Sequence, residues 1–267
     1  MFHGAYIGNG KILIKTAWGM RLIASSSDMS LMPTLMVDGV IEIGLTNWLL
    51  KNKEEFLGGL VIDVGANIGY FTVLLGCIVG DKGAVIAYEA NPKVYSLLKE
   101  SIYLGQLQDR TSLINKAVSS GFSTIPFYTS TKYQGNSSIH EHGDSYKTQF
   151  ATDEFETIDV KSEPLDIYSS ISGRIKLIKI DVEGAEYEVL RGMEKLLDYG
   201  MVENIVLELN KKMLGDDVDR LHALFVEMQN KYEAQFYVFS PSGDTVAVII
   251  DDIFAQDYID NILIKIE

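Results

Sequence analysis

The stretch Val61-Ile62-Asp63-Val64-Gly65-Ala66-Asn67-Ile68-Gly69 decides the fold. A short β-rich run at 60–64 stops at a glycine, and an apolar helical stretch at 68–79 follows at once. Gly65 allows a tight backbone turn, and Gly69 lets the helix start pack close to the sheet. A ligand at such a turn sits over the helix N-terminus, at the carboxyl end of the strand. Asn67 stands where a dinucleotide fingerprint has its second glycine, the one that lets a pyrophosphate approach the backbone. That difference counts against NAD and FAD. The Asp63 carboxylate at the strand tip also disfavours a diphosphate, and it favours an ammonium group.

Working outward, Glu89 lies 26 positions after Asp63 and ends the next predicted strand, 85–89. An acidic residue there can accept hydrogen bonds from both hydroxyls of a ribose. Asn91 and Pro92 read as the cap and first residue of a helix running to about residue 104. Further strands are predicted at 111–115, 177–182 and 205–209, with helices at 185–197 and 218–232. The last strands are 236–239 and 262–266, with no clear helix between them. Strands alternating with helices predict an α/β fold with a mostly parallel sheet covered on both faces, and the two late strands predict an antiparallel edge. Residues 120–160 break the rhythm and read as an inserted hairpin, 123–128 with 156–160, around a polar loop.

A second acidic constellation is Ile178-Lys179-Ile180-Asp181-Val182-Glu183-Gly184-Ala185-Glu186. Asp181 and Glu183 straddle a strand tip that lies next to the first strand in a doubly wound order, where open α/β sheets bind ligands. Alternation puts Asp181 on the face of Lys179 and Leu177. Neighbouring carboxylates repel unless they hold a proton, a metal or a cation. Glu186, in the first helical turn, is expected to stabilise the helix dipole.

Composition narrows the class. A chain of 267 residues, 47% hydrophobic and 22% charged, can bury a substantial core without staples. Its 23 basic and 37 acidic residues give a net charge of −14, which repels phosphate backbones and anionic membranes. Neither nucleic acid nor membrane is expected as a partner. The single cysteine, Cys77, reads as an inert core residue and points to a reducing cytoplasm. The start, Met1-Phe2-His3-Gly4, lacks the basic beginning and apolar run of a signal peptide.

Residues 1–57 hold five of the nine methionines and both tryptophans, with five basic and five acidic side chains. They are expected to form an N-terminal subdomain, with a hairpin from 11–15 and 20–24 and a helix at 47–57 capped by Asn47. Residues 58–267 would form the ligand-binding domain. The Met- and Trp-rich segment suggests an apolar wall over the site or a homodimer contact.

Taken together, these motifs resemble the FkbM-type methyltransferases, a branch of the class I enzymes that use S-adenosylmethionine. The resemblance rests on Asp63-Val64-Gly65-Ala66-Asn67-Ile68-Gly69, Glu89-x-Asn91-Pro92, Asn115-Lys116-Ala117-Val118, Gly135-Asn136-Ser137-Ser138, the Lys179–Glu186 stretch and Leu207-Glu208. These occur in the family's order over roughly residues 60–210. The resemblance implies a Rossmann-like sheet of seven strands, the last antiparallel, and methyl transfer to an oxygen. It places Asp63, Gly65, Asn67 and Gly69 around the amino-acid part of S-adenosylmethionine, Glu89 at the ribose, and Asn115 to Ala117 beside the adenine. Ala90 departs from the proline that many members carry before Asn91.

For the acceptor, Asp181, Glu183 and His140 are the catalytic candidates, with Asp181 also touching the cofactor. Ser137, Ser138 and Glu208 are substrate candidates. His140, His142 and Asp144 share a polar loop that could supply a base or bind a divalent metal, although no metal is indicated. The expected acceptor is a small-molecule hydroxyl on a sugar, polyketide or peptide-derived metabolite. Two other readings stay open: a nicotinamide-dependent oxidoreductase, and a non-catalytic nucleoside-binding or scaffold protein.

Overall fold

The computed structural model describes residues 2–139 and 153–266. Strands β1 (Gly4–Gly8), β2 (Lys11–Lys15) and β3 (Arg21–Ser25) form an antiparallel meander. Period-two alternation in β2 buries Ile12 and Ile14, and Leu22 and Ala24 of β3 are buried with them, against the helix Pro92–Leu104. There the Ser101 hydroxyl oxygen accepts the Ile23 N–H at 3.0 Å, and Lys11 pairs with Glu100 at 2.6 Å. The expected single helix at 47–57 is instead a helix Ile43–Lys51 and a separate turn Lys53–Phe56. Asn47 is not its cap: it lies inside the helix, and its side chain reaches the Pro241 carbonyl at 2.8 Å.

The central sheet begins with β4 (Leu60–Val64), β5 (Ala84–Tyr88) and β6 (Thr111–Ile114), after which the chain makes an excursion. The excursion is a second small sheet of β7 (Ala117–Val118), β8 (Ser123–Ser130) and β9 (Phe155–Glu163), in which β8 and β9 form the expected inserted hairpin. The chain then adds β10 (Ile175–Ile180), β11 (Asn204–Asn210), β12 (Gln235–Phe239), β13 (Thr245–Ala247) and β14 (Tyr258–Lys265). The order across the sheet is β6-β5-β4-β10-β11-β14-β12-β13. Strands β4, β5, β6, β10 and β11 run parallel, and β14 runs antiparallel to both of its neighbours.

The late strands form the expected antiparallel edge: β14 lies between β11 and β12, antiparallel to both, and β12 pairs antiparallel with β13 at the end of the sheet. A helix, Ile250–Ala255, does precede β14; its two aspartates hid the apolar pair Ile250 and Ile253. The stretch 185–197 is likewise two short helices, Glu186–Arg191 and Glu194–Asp198, broken where Gly192 approaches the Ser119 carbonyl too closely for any side chain. Cys77 is exposed rather than part of the core, being the one solvent-facing position near the end of the otherwise buried helix Tyr70–Ile78.

Alternation along the strands divides the core between the two faces of the sheet. Val61 and Leu177 belong to a cluster that includes Trp48, Leu49 and the β2–β3 side chains. Ile62, Val64, Ile178 and Ile180 belong to the opposite cluster, with the helix Val218–Tyr232. Asp63, Lys179 and Asp181 therefore share the face that the N-terminal segment covers. No helix among the described residues is long and apolar enough to cross a membrane.

Candidate functional site

The chain reverses its winding between β4 and β10, which are adjacent but far apart in sequence. At the carboxyl ends of these two strands lies a cavity of about 370 Å³. Open α/β sheets bind ligands at such a switch point.

The glycine turn shapes one wall. Gly65 has φ +83, and an added Cβ would run into the Asp181 carbonyl oxygen, so only glycine lets β4 and β10 end this close together. Gly69 has φ +95 and an added Cβ there would meet Leu98 at 2.7 Å. Asn67 adopts φ +50, a conformation its short amide tolerates, and its Oδ1 accepts the Ile68 N–H at 2.8 Å.

Glu89 ties this turn to the next strand. Its Oε2 accepts the Asn67 N–H at 2.9 Å and its Oε1 accepts the Asn91 N–H at 2.7 Å. A carboxylate has about four acceptor positions, so two remain for ligand hydroxyls. Burial lifts its pKa to about 7, against the lowering effect of those two N–H groups. Asn115 lies behind this loop and donates to the carbonyls of Glu89 and Ala90, at 2.7 and 3.1 Å; Lys116, Ala117 and Val118 are the residues of that motif on the cavity wall.

Asp63 is 1% exposed. Its Oδ2 accepts the Thr72 hydroxyl at 2.6 Å, while Oδ1 has no hydrogen-bond partner among the described residues. Burial raises its pKa, and Asp181 adds to that effect. Lys179, the register partner of Asp63, donates to Asp181 Oδ2 at 2.9 Å and lies 4.6 Å from the centre of the Phe71 ring. Burial by itself would lower the Lys179 pKa; the carboxylates of Asp181, Glu42 and Asp63 more than reverse this and hold it charged.

Beyond Asp181, carboxylate oxygens of Asp181, Glu183 and Glu208 lie within 4.8 Å of one another. These are the groups that could share a cation. Burial first, then the neighbouring carboxylates, raise Glu183 well above the usual range and Glu208 to about 9. Glu183 lines the cavity at φ +53, while Glu208 stands behind it. Glu186 turns back to accept the Gly184 N–H at 3.2 Å, and burial lifts it to about 7.

Over the cavity lie residues that sequence reading did not single out. Asp28, 3% exposed, accepts the N–H groups of Ser30, Leu31, Met32 and Gln134, and the Ser30 hydroxyl oxygen accepts the Gly135 N–H at 3.0 Å. The N-terminal segment is thus tied to the strip at 134–139. Ser137 lines the cavity, whereas Ser138 is fully buried with its hydroxyl donated to the Glu183 carbonyl at 2.7 Å. His140, His142 and Asp144 lie outside the described residues. Glu42, which no local sequence signal marks, lines the same cavity as Asp63 and Asp181. It arrives from the start of a surface helix.

A parallel sheet wound both ways from a β4–β10 switch, with an antiparallel strand inserted beside its far edge and a glycine turn at the crevice, defines a class I methyltransferase fold. The sequence profile described as the methyltransferase FkbM domain matches residues 63–236, and the chain belongs to that family. Methyltransferases of this family draw their methyl group from S-adenosylmethionine. The orphaned Asp63 oxygen and the two acceptor positions left on Glu89 fit such a ligand.

The chain is 27% identical over 170 residues to Methyltransferase sdnD of Sordaria araneosa, a match covering 55% of this chain and 65% of that protein. It is 27% identical over 174 residues to Hexuronic acid methyltransferase AglP of Haloferax volcanii, covering 65% and 64%. These matches span slightly under two thirds of the relatives' own lengths. Among solved structures, the O-methyltransferase TomG of Streptomyces achromogenes superposes with a TM-score of 0.48 at 7% identity, covering 90% of this chain and 87% of that one. The O-methyltransferase from Bacillus cereus gives 0.46 at 13% identity, covering 85% and 82%.

Proposed function

We propose that the protein methylates a hydroxyl group of a sugar or secondary metabolite, using S-adenosylmethionine. The observation that carries this reading is the convergence of Asp63, the Gly65–Gly69 turn, Glu89 and Asp181 on one cavity. Asp63 and the turn would hold the amino-acid end of the ligand, Glu89 the ribose, and Ala117 the adenine side. Bound there, S-adenosylmethionine supplies an electrophilic methyl group. The chain's task is to orient an acceptor oxygen in line with it and to exclude water.

Asp181, Glu183 and His140 are the groups proposed to take the acceptor proton, with Asp181 ranked first. It sits at a strand tip, and its carboxylate is held by Lys179. Ser137 and Gln134, on the cavity wall, would meet the acceptor hydroxyls. The name of the Haloferax volcanii relative supports a uronic acid or related sugar as the first acceptor to try.

The test is incubation with S-adenosylmethionine and a panel of hydroxyl acceptors, beginning with glucuronic acid, followed by mass spectrometry. A product heavier by CH2, a methyl gained and a proton lost, formed with stoichiometric S-adenosylhomocysteine, is expected. Asp181→Asn nearly preserves shape and should abolish turnover while S-adenosylhomocysteine still binds, with or without chelator. Binding of S-adenosylhomocysteine with no transfer to any hydroxyl class would instead favour a non-catalytic binder.

A further inference from the structure

Three carboxylates from three parts of the chain face one buried cation at the end of the cavity nearest the glycine turn. Strand parity puts Asp63, Lys179 and Asp181 on the same face of the sheet. The N-terminal segment covers that face and carries Glu42 to it, one residue before the helix Ile43–Lys51. Glu42 has φ +42, in the left-handed region that a glutamate rarely adopts, and such residues cluster at ligand sites. Asn261 of β14, itself 8% exposed, donates Nδ2 to Glu42 Oε2 at 2.8 Å and holds the side chain in place.

The charges do not balance among these groups. Lys179 is committed to Asp181 at 2.9 Å. Glu42 and Asp63 remain in excess, and Asp63 Oδ1 is unpartnered among the described residues although the residue is almost wholly buried. Acids in this state hold a proton or meet a cation, and both Glu42 and Asp63 line the cavity that receives the ligand.

We propose that Glu42 and Asp63 form an anionic clamp for the α-ammonium group at the amino-acid end of S-adenosylmethionine, with Glu42 supplied by the N-terminal segment as its selective member. This rests on the methyltransferase reading above. An ammonium offers several N–H donors, and two carboxylates lining one cavity can each accept one. The clamp gives residues 1–57 a direct part in the ligand site. It also makes recognition of the amino-acid end separable from recognition of the nucleoside, which falls to Glu89.

Isothermal titration with two probes tests this: S-adenosylhomocysteine, which has the ammonium, and 5′-methylthioadenosine, which keeps the nucleoside and lacks the amino acid. Glu42→Gln preserves shape and an acceptor for Asn261. It should weaken S-adenosylhomocysteine roughly tenfold to a hundredfold, the loss of one charge-assisted hydrogen bond, and leave 5′-methylthioadenosine unchanged.

A pH series adds a second readout. Burial, with help from Asp181 and Asp260 and against Lys179 and Asn261, brings Glu42 to about 7; Tyr70 and Glu208 also face it. The clamp needs the carboxylate form, so wild-type affinity for S-adenosylhomocysteine should rise from about pH 6 to about pH 8. Glu89 titrates in the same range, so the diagnostic is the part of this rise that Glu42→Gln removes and that 5′-methylthioadenosine never shows. Equal binding of both probes by wild type and variant overturns the clamp, and so does an equal loss of both, which marks a purely structural role. A wild-type protein that binds neither probe overturns the cofactor reading itself.

Discussion

The Lys179 ammonium lies 2.9 Å from Asp181 Oδ2, and Lys179 is paired in register with Asp63 on the adjacent strand. One buried lysine therefore sits among the acids at the tips of two neighbouring strands. It is the counter-charge that allows several carboxylates to crowd one cavity end.

Replacing Lys179 with methionine should destabilise the protein by roughly 2–4 kcal/mol, less than a fully buried pair because Asp181 is partly open to solvent. Thermal unfolding should show a lower Tm, by about 2–4 °C per kcal/mol. Combining Lys179→Met with Asp181→Asn should recover part of the loss. A double variant no more stable than the single one would show that the ion pair is not what Lys179 contributes.

Gly65→Ala places a methyl group against the Asp181 carbonyl and forces a left-handed φ on alanine. The strand tips must then separate, at a cost of order 1–3 kcal/mol or more. Both a lower Tm and loss of S-adenosylhomocysteine binding are expected. A stable variant with intact affinity would mean that the close approach of β4 and β10 does not shape the site.

Glu89→Ala should weaken S-adenosylhomocysteine at least tenfold and also lower Tm. The second effect follows because the lost carboxylate leaves the N–H groups of Asn67 and Asn91 without their acceptor. Calorimetry and thermal melts separate the two. An affinity loss without any change in Tm would show that the loop does not depend on these bonds.

Glu208 predicts a pH dependence. Burial and the nearby acids raise its folded-state pKa from 4.5 to about 9. The folded state therefore holds a proton that the unfolded state has released. Its contribution to stability is full below about pH 4.5 and is lost as pH rises to about 9. Glu208→Gln does not titrate, so in chelator-treated protein it should unfold at a higher temperature than wild type near pH 8.5, with the gap closing near pH 5. A pH-independent gap would count against a raised pKa at this position.

Much of the site could be read along the chain because its signals are local. The turn at Gly65–Gly69, the strand-ending Glu89 and the pair Asp181 and Glu183 each sit beside the strand that positions them, and period-two alternation already put Asp181 with Lys179. The inserted hairpin at 123–128 and 156–160 was legible for the same reason. The late antiparallel strand was seen, but its place between β11 and β12 was not, since a run such as Ile262-Leu263-Ile264 is equally apolar on either side.

What only the tertiary structure decided is which distant groups gather around the cavity. Glu42 and Asp28 come from segments whose sequences look like ordinary surface, and no spacing rule links them to Asp63 or Gly135. They meet there because the β1–β3 meander buries its apolar side against the Pro92–Leu104 helix and lays residues 28–42 along one face of the sheet. The sequence by itself determined the alternating strands and helices, and with them the switch point and the local turn chemistry. The covering of that switch point, the unbalanced charge beneath it and the acids gathered around Lys179 are consequences of long-range packing, which local periodicity does not encode.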